Sequence, residues 1–341
     1  MSIGVSTAPP PVNASLEAHL RVLLKAMQDG KVVPFLGAAV NLCGRARETS
    51  WRYGQFNCLP SGLELALHLA NNYGYPLVEG AAPPDLLRVS QYVAVMSGGE
   101  SLYEELRSIF AGDYPPTALH TFFAELPGVL RSKGYPRTID PLKRRLVIVT
   151  TNYDDVLERA FNLAEEPFHL LTYVAEGNWQ GKFLHWPAGE KEGMRVIEKP
   201  NEYKGLSGDE LPVILKIHGA VNRAVSNLDS FVITEDDYID YLTRIDLGSL
   251  LPAPLPAKFQ QSQFLFLGYS LSDWNMKAIL HRIWRDRQRS ARSWAVQLNP
   301  AEMDQKFWSR RDVDIINVDL KEYIDSLSER LRNMSSLGGG V

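Results

Sequence analysis

One stretch constrains this chain more than any other: Leu146-Val-Ile-Val-Thr-Thr-Asn-Tyr-Asp-Asp-Val-Leu157. Residues 146–149 are wholly apolar and mostly β-branched, the pattern of a strand buried on both faces, as in a parallel sheet. The run ends in the polar hexad Thr150-Thr-Asn-Tyr-Asp-Asp155, and a helical pattern follows from Val156 to Phe161. Ligands of open α/β sheets bind beyond the carboxyl ends of the strands. Thr151, Asn152 and Asp154 stand at such an end and can hydrogen-bond a sugar, an amide or a water. A local reading competes: Thr151 as N-cap with Asp154 at N3 is a capping-box variant that only starts the helix.

The same succession recurs along the chain. Lys31-Val-Val-Pro-Phe-Leu36 is a strand followed by the small residues Gly37-Ala-Ala and by Val40-Asn41. Small residues there let a phosphate or ribose approach the backbone, and a tight strand–helix turn is the alternative. Pro34 is awkward in a central strand because it has no N–H to give. Leu211–Ile217 is a strand delivering His218-Gly219-Ala220. A His there suits proton transfer near neutral pH; a turn-internal hydrogen bond is its bland role. Gln263–Leu267 ends in Gly268-Tyr-Ser270, Ser293–Leu298 ends in Asn299-Pro300, and Asp314–Val318 is the last strand. The sum is an α/β fold: a doubly wound, Rossmann-like parallel sheet with strands near 31, 146, 213, 264, 294 and 314.

Between the strands the pattern is helical. Residues 1–13 read as a disordered arm with a Pro-Pro-Pro run, and Leu16, Leu20, Leu23, Leu24 and Met27 mark an amphipathic helix. Residues 44–140 form a mostly helical insertion in the domain spanning 14–334, with a long polar loop at 44–60. Within it His120, on a helix from 115 to 126, reads as structural. Residues 174–210, rich in Gly, Glu and Lys, form a second excursion away from the sheet, and Phe168–Tyr173 is a short strand before it. Thr234 and Asp237 cap a helix whose acidic first turn suits its dipole, which accounts for Glu235, Asp236 and Asp237 without a metal. A helix at 277–285 is followed by a run of arginines to Arg292, a solvated face or a partner surface. Residues 335–341 are a flexible tail.

Composition excludes several classes. Apolar residues make up 45% of the 341, enough for a substantial core. The net charge of −4 argues against a coat for nucleic acid, so no direct nucleic-acid contact is expected. Cys43 and Cys58 are the only cysteines, so neither a disulfide framework nor a cysteine-ligated zinc is expected. Free thiols and the lack of a basic-then-apolar leader point to the cytoplasm, and no apolar run is long enough for a membrane span.

Taken together, these motifs resemble the sirtuin superfamily. Phe35-Leu-Gly-Ala-Ala-Val-Asn41 looks like its Gly-Ala-Gly phosphate turn, and Pro116-Thr-Ala-Leu-His120 like its Pro-x-x-x-His helix. Thr150-Thr-Asn-Tyr-Asp154 looks like its Thr-Gln-Asn-x-Asp motif, and Lys216-Ile-His-Gly219 like the strand carrying its catalytic His. Gly268-Tyr-Ser270 and Leu298-Asn299 look like its ribose-binding segments. The chain departs from sirtuin deacylases in lacking two CxxC pairs and in having Thr151 for Gln and Ala39 for Gly. The zinc-less pattern is more similar to sirtuin-like effectors of bacterial antiviral defence, which hydrolyse NAD.

That resemblance implies an NAD glycohydrolase, with NAD as substrate and no zinc. It implies a homo-oligomer switched on by a partner such as a HerA-type ATPase or an Argonaute-like protein. Asn152 would position water and ribose, Asp154 would sit by the nicotinamide carboxamide, and His218 would act as base. Gly37, Ala38, Ala39, Asn41, Thr151 and Gly268 would line the dinucleotide, and Ser270 and Asn299 would hold its adenosine half. A protein deacylase and a non-enzymatic NAD or ADP-ribose sensor are the competing readings.

Overall fold

The computed structural model describes residues 12–334 apart from 79, 81, 137, 191–192, 245–246, 271–276 and 278–291. In chain order its strands are β1 Val32–Leu36, β2 Val147–Thr150, β3 His169–Tyr173, β4 Phe183–Trp186, β5 Arg195–Val196 and β6 Val213–Lys216. β7 Gly219–Ala220 and β8 Ser230–Phe231 follow, then β9 Gln263–Leu267, β10 Ser293–Val296 and β11 Val313–Ile316. One sheet runs β11-β10-β9-β1-β2-β6-β3-β4-β5, while β7 and β8 form a separate antiparallel ribbon.

From β11 to β3 every neighbouring pair is parallel. The chain leaves β1 for β2 on one side and returns to β1's other side only at β9. The strand order therefore reverses at β1, and the crevice of a doubly wound sheet opens at the carboxyl ends of β9, β1 and β2. The β1–β2 ladder begins at Phe35, one residue beyond Pro34, so the missing N–H falls outside the pairing.

Alternate strand residues feed two layers. Leu36, Ile148, Ile214 and Leu265 pack under four helices: Val12–Gln28 through Leu23, Ala118–Ser132 through Phe123, Val156–Leu163 through Phe161, and Leu320–Asn333 through Tyr323. Phe35, Val149, Leu215 and Phe266 face the other way, toward Tyr241, Leu255 and Trp308. A third core lies among the helices Gly62–Asn72, Leu86–Ser97 and Gly99–Phe110 and continues to Tyr153 and Phe231 at the strand ends.

Three sequence expectations need correction. The excursion at 174–210 does not leave the sheet: it supplies β4 and β5, antiparallel at one edge, because Phe183 and Leu184 bury as fully as any strand residue. The helix Ala118–Ser132 packs in the layer on the sheet rather than with the helices that precede it. Residues 12 and 13 belong to the first helix rather than to a loose arm. Residues 1–11, the tail 335–341, most of the helix placed at 277–285 and the arginines from 282 to 289 lie outside the described residues. No helix among the described residues is long and apolar enough to cross a membrane.

Candidate functional site

The crevice is built on a junction of two backbones. Gly37 follows β1 and Gly268 follows β9, and they touch. A Cβ on Gly37 would lie 2.6 Å from the Gly268 oxygen; one on Gly268 would lie 2.6 Å from the Val40 nitrogen. Gly268 also has φ +76°, which favours glycine. The Gly37 N–H donates to Leu267 O at 2.9 Å and the Ala39 N–H to Gly268 O at 3.1 Å. Of the backbone N–H groups in the turn expected to let a phosphate approach, those of Gly37 and Ala39 are thus spent on the turn itself. Ala38 and Ala39 are exposed at its rim.

The hexad after β2 is anchored side chain by side chain. The Thr150 hydroxyl donates to Leu36 O at 2.9 Å and accepts the Asn152 N–H at 3.1 Å. Thr151 meets the Tyr269 hydroxyl at 2.9 Å, and that hydroxyl donates to Leu36 O at 2.8 Å. The Thr151 capping box does not form. The helix starts at Val156, after Asp155, and Asp154 Oδ1 accepts the Val156 N–H at 3.1 Å.

Two amides are oriented alike. Asn152 Nδ2 donates to Gly37 O at 3.3 Å, and Asn41 Nδ2 donates to Asp154 Oδ2 at 2.8 Å. Carbonyl and carboxylate oxygens only accept, so in both amides the NH₂ must face the protein and the oxygen must face away. Both Oδ1 atoms are buried and have no partner among the described residues. Buried polar atoms are rarely left so, and a ligand or water accounts for such exceptions.

His218 completes the set. Thr150 pairs with Lys216 across β2 and β6, so Asn152 and His218 each lie two residues beyond the same paired level. The imidazole is 3% exposed and stands edge-on to the rings of Tyr238 and Tyr241. Its Nδ1 lies 3.4 Å from the Tyr238 hydroxyl, and its Nε2 is buried with no partner among the described residues. Burial lowers its pKa from 6.5 to about 3, so the ring is neutral at physiological pH.

The remaining expected residues sit on the same carboxyl edge. Ser270 is exposed after β9, and Asn299 is exposed after β10. Asn299 holds φ +50°, with its N–H donating to Asn317 Oδ1 at 2.8 Å. His120 is a fastener. Its Nδ1 accepts the Thr117 N–H at 3.1 Å, the Thr117 hydroxyl reaches Val40 O at 3.1 Å, and burial lowers the imidazole to about 4.

Sequence reasoning gave no role to Lys216 or Glu158. Lys216 is 1% exposed; its ammonium pairs with Glu158 at 2.7 Å and also donates to the carbonyl of Asp154. A lone Lys closing one apolar strand, and a Glu in the first turn of the helix that follows the hexad, were the available signals. Among the described residues no group of three or more His, Cys, Asp or Glu side chains is placed to hold a metal ion.

The arrangement offers acceptors at the ends of β1, β2 and β6. It suits hydroxyl and amide donors or an electron-poor ring. The family model of the SIR2-like domain matches residues 146–316, half of the chain, from the residue before β2 to the last residue of β11. Among curated proteins no match was found.

Proposed function

Because this chain belongs to the SIR2-like family, which implies an NAD-utilising enzyme, we propose that it is an NAD glycohydrolase releasing nicotinamide and ADP-ribose. The observation that carries the reading is the pair of buried atoms without a partner among the described residues, Asn152 Oδ1 and His218 Nε2, each two residues beyond the same paired level of β2 and β6.

The chemistry follows from that pair. Nicotinamide in NAD is a cationic leaving group, so the bond from C1′ to the ring nitrogen breaks with its electrons going to the ring. The ribose becomes oxocarbenium-like. The Asn152 amide oxygen offers the negative end of a fixed dipole to that centre and can orient the attacking water. Water adds to C1′ and its proton passes to Nε2 of the neutral His218, whose Nδ1–H then donates to the Tyr238 hydroxyl. Burial keeps that ring neutral at physiological pH, with a lone pair free to receive the proton, and makes it a weak base that passes the proton on as product leaves. NAD and water thus give nicotinamide, ADP-ribose and a proton.

The biological setting belongs to the same proposal. By its resemblance to zinc-less sirtuin-like effectors, the chain is an NAD-depleting component of anti-phage defence, assembled with itself and triggered by a partner. The enzymatic reading is tested by chromatography of NAD incubated with the protein, with and without an acetyl-lysine peptide. Nicotinamide release without peptide supports the hydrolase. Release only with peptide would make the protein a deacylase, and binding without release even with its activating partner or assembly present would make it a sensor.

A further inference from the structure

At the amino ends of the strands that form the crevice lies a lysine that the proposed chemistry does not use. Lys258 sits on the helix Pro254–Gln261, which leads into β9; Gly30 leads into β1, and Lys143 precedes β2. The last two touch through their backbones: a Cβ on Gly30 would lie 1.8 Å from Lys143 O. Lys258 is 3% exposed, and its nitrogen donates to Gly30 O at 2.7 Å and to Lys143 O at 3.3 Å. An ammonium carries three N–H groups and a neutral amine two, so two carbonyls match the amine and leave the remaining tetrahedral direction to its lone pair. Burial is the main cause that lowers this group from 10.5 to about 7; Asp140 pulls the other way, and the Arg145 and Lys143 cations add to the lowering.

Gly30, Lys143 and Lys258 line one small cavity, walled elsewhere by apolar residues such as Leu126 and Leu130. It offers about 30 Å³ to the centres of water-sized molecules, room for one or two of them and for no sugar or acyl chain. We infer that Lys258 is a carbon dioxide site, its amine adding CO₂ from this cavity to form a carbamate. The nitrogen lone pair bonds the carbon of CO₂, one C=O π pair moves onto oxygen, and one N–H proton leaves to water. The remaining N–H keeps the shorter bond, to Gly30 O. Of the charges that act on this nitrogen, Arg145 and Lys143 outnumber Asp140, which disfavours an ammonium and favours an anion in its place. Arg144 also lines the cavity; it pairs with Glu210, as Arg145 does with Asp209. The room available excludes larger electrophiles, and an unprotonated amine is the form that CO₂ requires.

The test equilibrates the full chain with carbon-13-labelled bicarbonate and CO₂ at pH 7.5 and reads the carbamate carbon by NMR. Wild type, Lys258→Met and Lys258→Arg are compared, each checked for folding by circular dichroism. The wild type should show a carbamate signal that both variants lack, and the signal should shrink at pH 6.0 as the amine takes up its proton. Trapping with a trialkyloxonium salt and mass spectrometry of the wild type locate the labelled carbon without any variant. Lys258 should carry it about 100-fold or more above the mean of the other lysines, because ordinary lysines are almost wholly protonated at that pH. No carbamate signal in the wild type, a signal unchanged in a folded variant, or label confined to other amines would overturn the inference, and none of these results bears on NAD cleavage.

Discussion

Lys216 and Glu158 form an ion pair inside the protein, 2.7 Å from Nζ to Oε1, and the same ammonium holds the Asp154 carbonyl. The last residue of β6 thereby ties down the turn that carries Asn152 and Asp154. Removing one partner of a buried pair costs about 3–5 kcal/mol, whereas replacing both with apolar groups is often close to neutral. Lys216→Met should therefore lower the urea midpoint sharply, and Lys216→Met with Glu158→Leu should regain much of it. Because the carbonyl clamp is absent in both, turnover should stay low in the double variant. A double variant as active as the wild type would show the pair to be structural only.

The Gly37–Gly268 contact leaves no room for a side chain. Gly268→Ala meets both a left-handed φ and a Val40 nitrogen at 2.6 Å. Strain of this kind costs about 1–3 kcal/mol. A thermal scan should show a lowered midpoint, and titration with NAD should show weakened binding. An unchanged midpoint would mean that the two turns are not packed as described.

Acid should destabilise the protein in a defined window. Burial lowers His19 and His120 to about 4, and His185 and His218 to about 3, from 6.5. The unfolded chain binds protons below pH 6.5 that the folded chain refuses. The stabilising contribution is thus complete above pH 6.5 and is lost as pH falls toward 3–4. Each such His contributes up to about 1.4 kcal/mol per pH unit. Urea midpoints should fall from pH 7.5 through 6.0 to 5.0. Equal midpoints at 7.5 and 5.0 would contradict this.

The same burial bears on activity. With His218 at about 3, its protonation cannot shape the rate near neutrality. The pH profile of kcat/KM for NAD should show no His limb between pH 5.5 and 8 while the protein stays folded. A single ionisation near 6.5 that disappears in His218→Gln would show that the imidazole is solvated in the working enzyme.

Most of the parallel strands were legible because each is a short apolar run ending in Gly, Thr, His or Asn. β4 and β5 were not, since four and two residues flanked by Gly, Glu and Lys carry no periodicity of their own; their signal is the pairing of β4 with β3 and of β5 with β4. Asn152 and His218 could be picked out as polar residues ending apolar runs, and β2–β6 pairing puts them at one level. What stayed hidden depends on partners far along the chain. Asp154 serves Asn41 across 113 residues, Lys216 meets Glu158 across 58, and the Ala39 N–H turns inward to Gly268. The capping box at Thr234 and Asp237 is local, and it formed as its spacing implies.

The most direct measurement is chromatography of NAD incubated with the wild-type chain, with His218→Ala and with Asn152→Ala, each checked for folding by circular dichroism. The account predicts nicotinamide and ADP-ribose in equal amounts from the wild type, and a loss of about 100-fold or more in either variant. A folded variant that still releases nicotinamide at the wild-type rate would place the chemistry elsewhere in the chain.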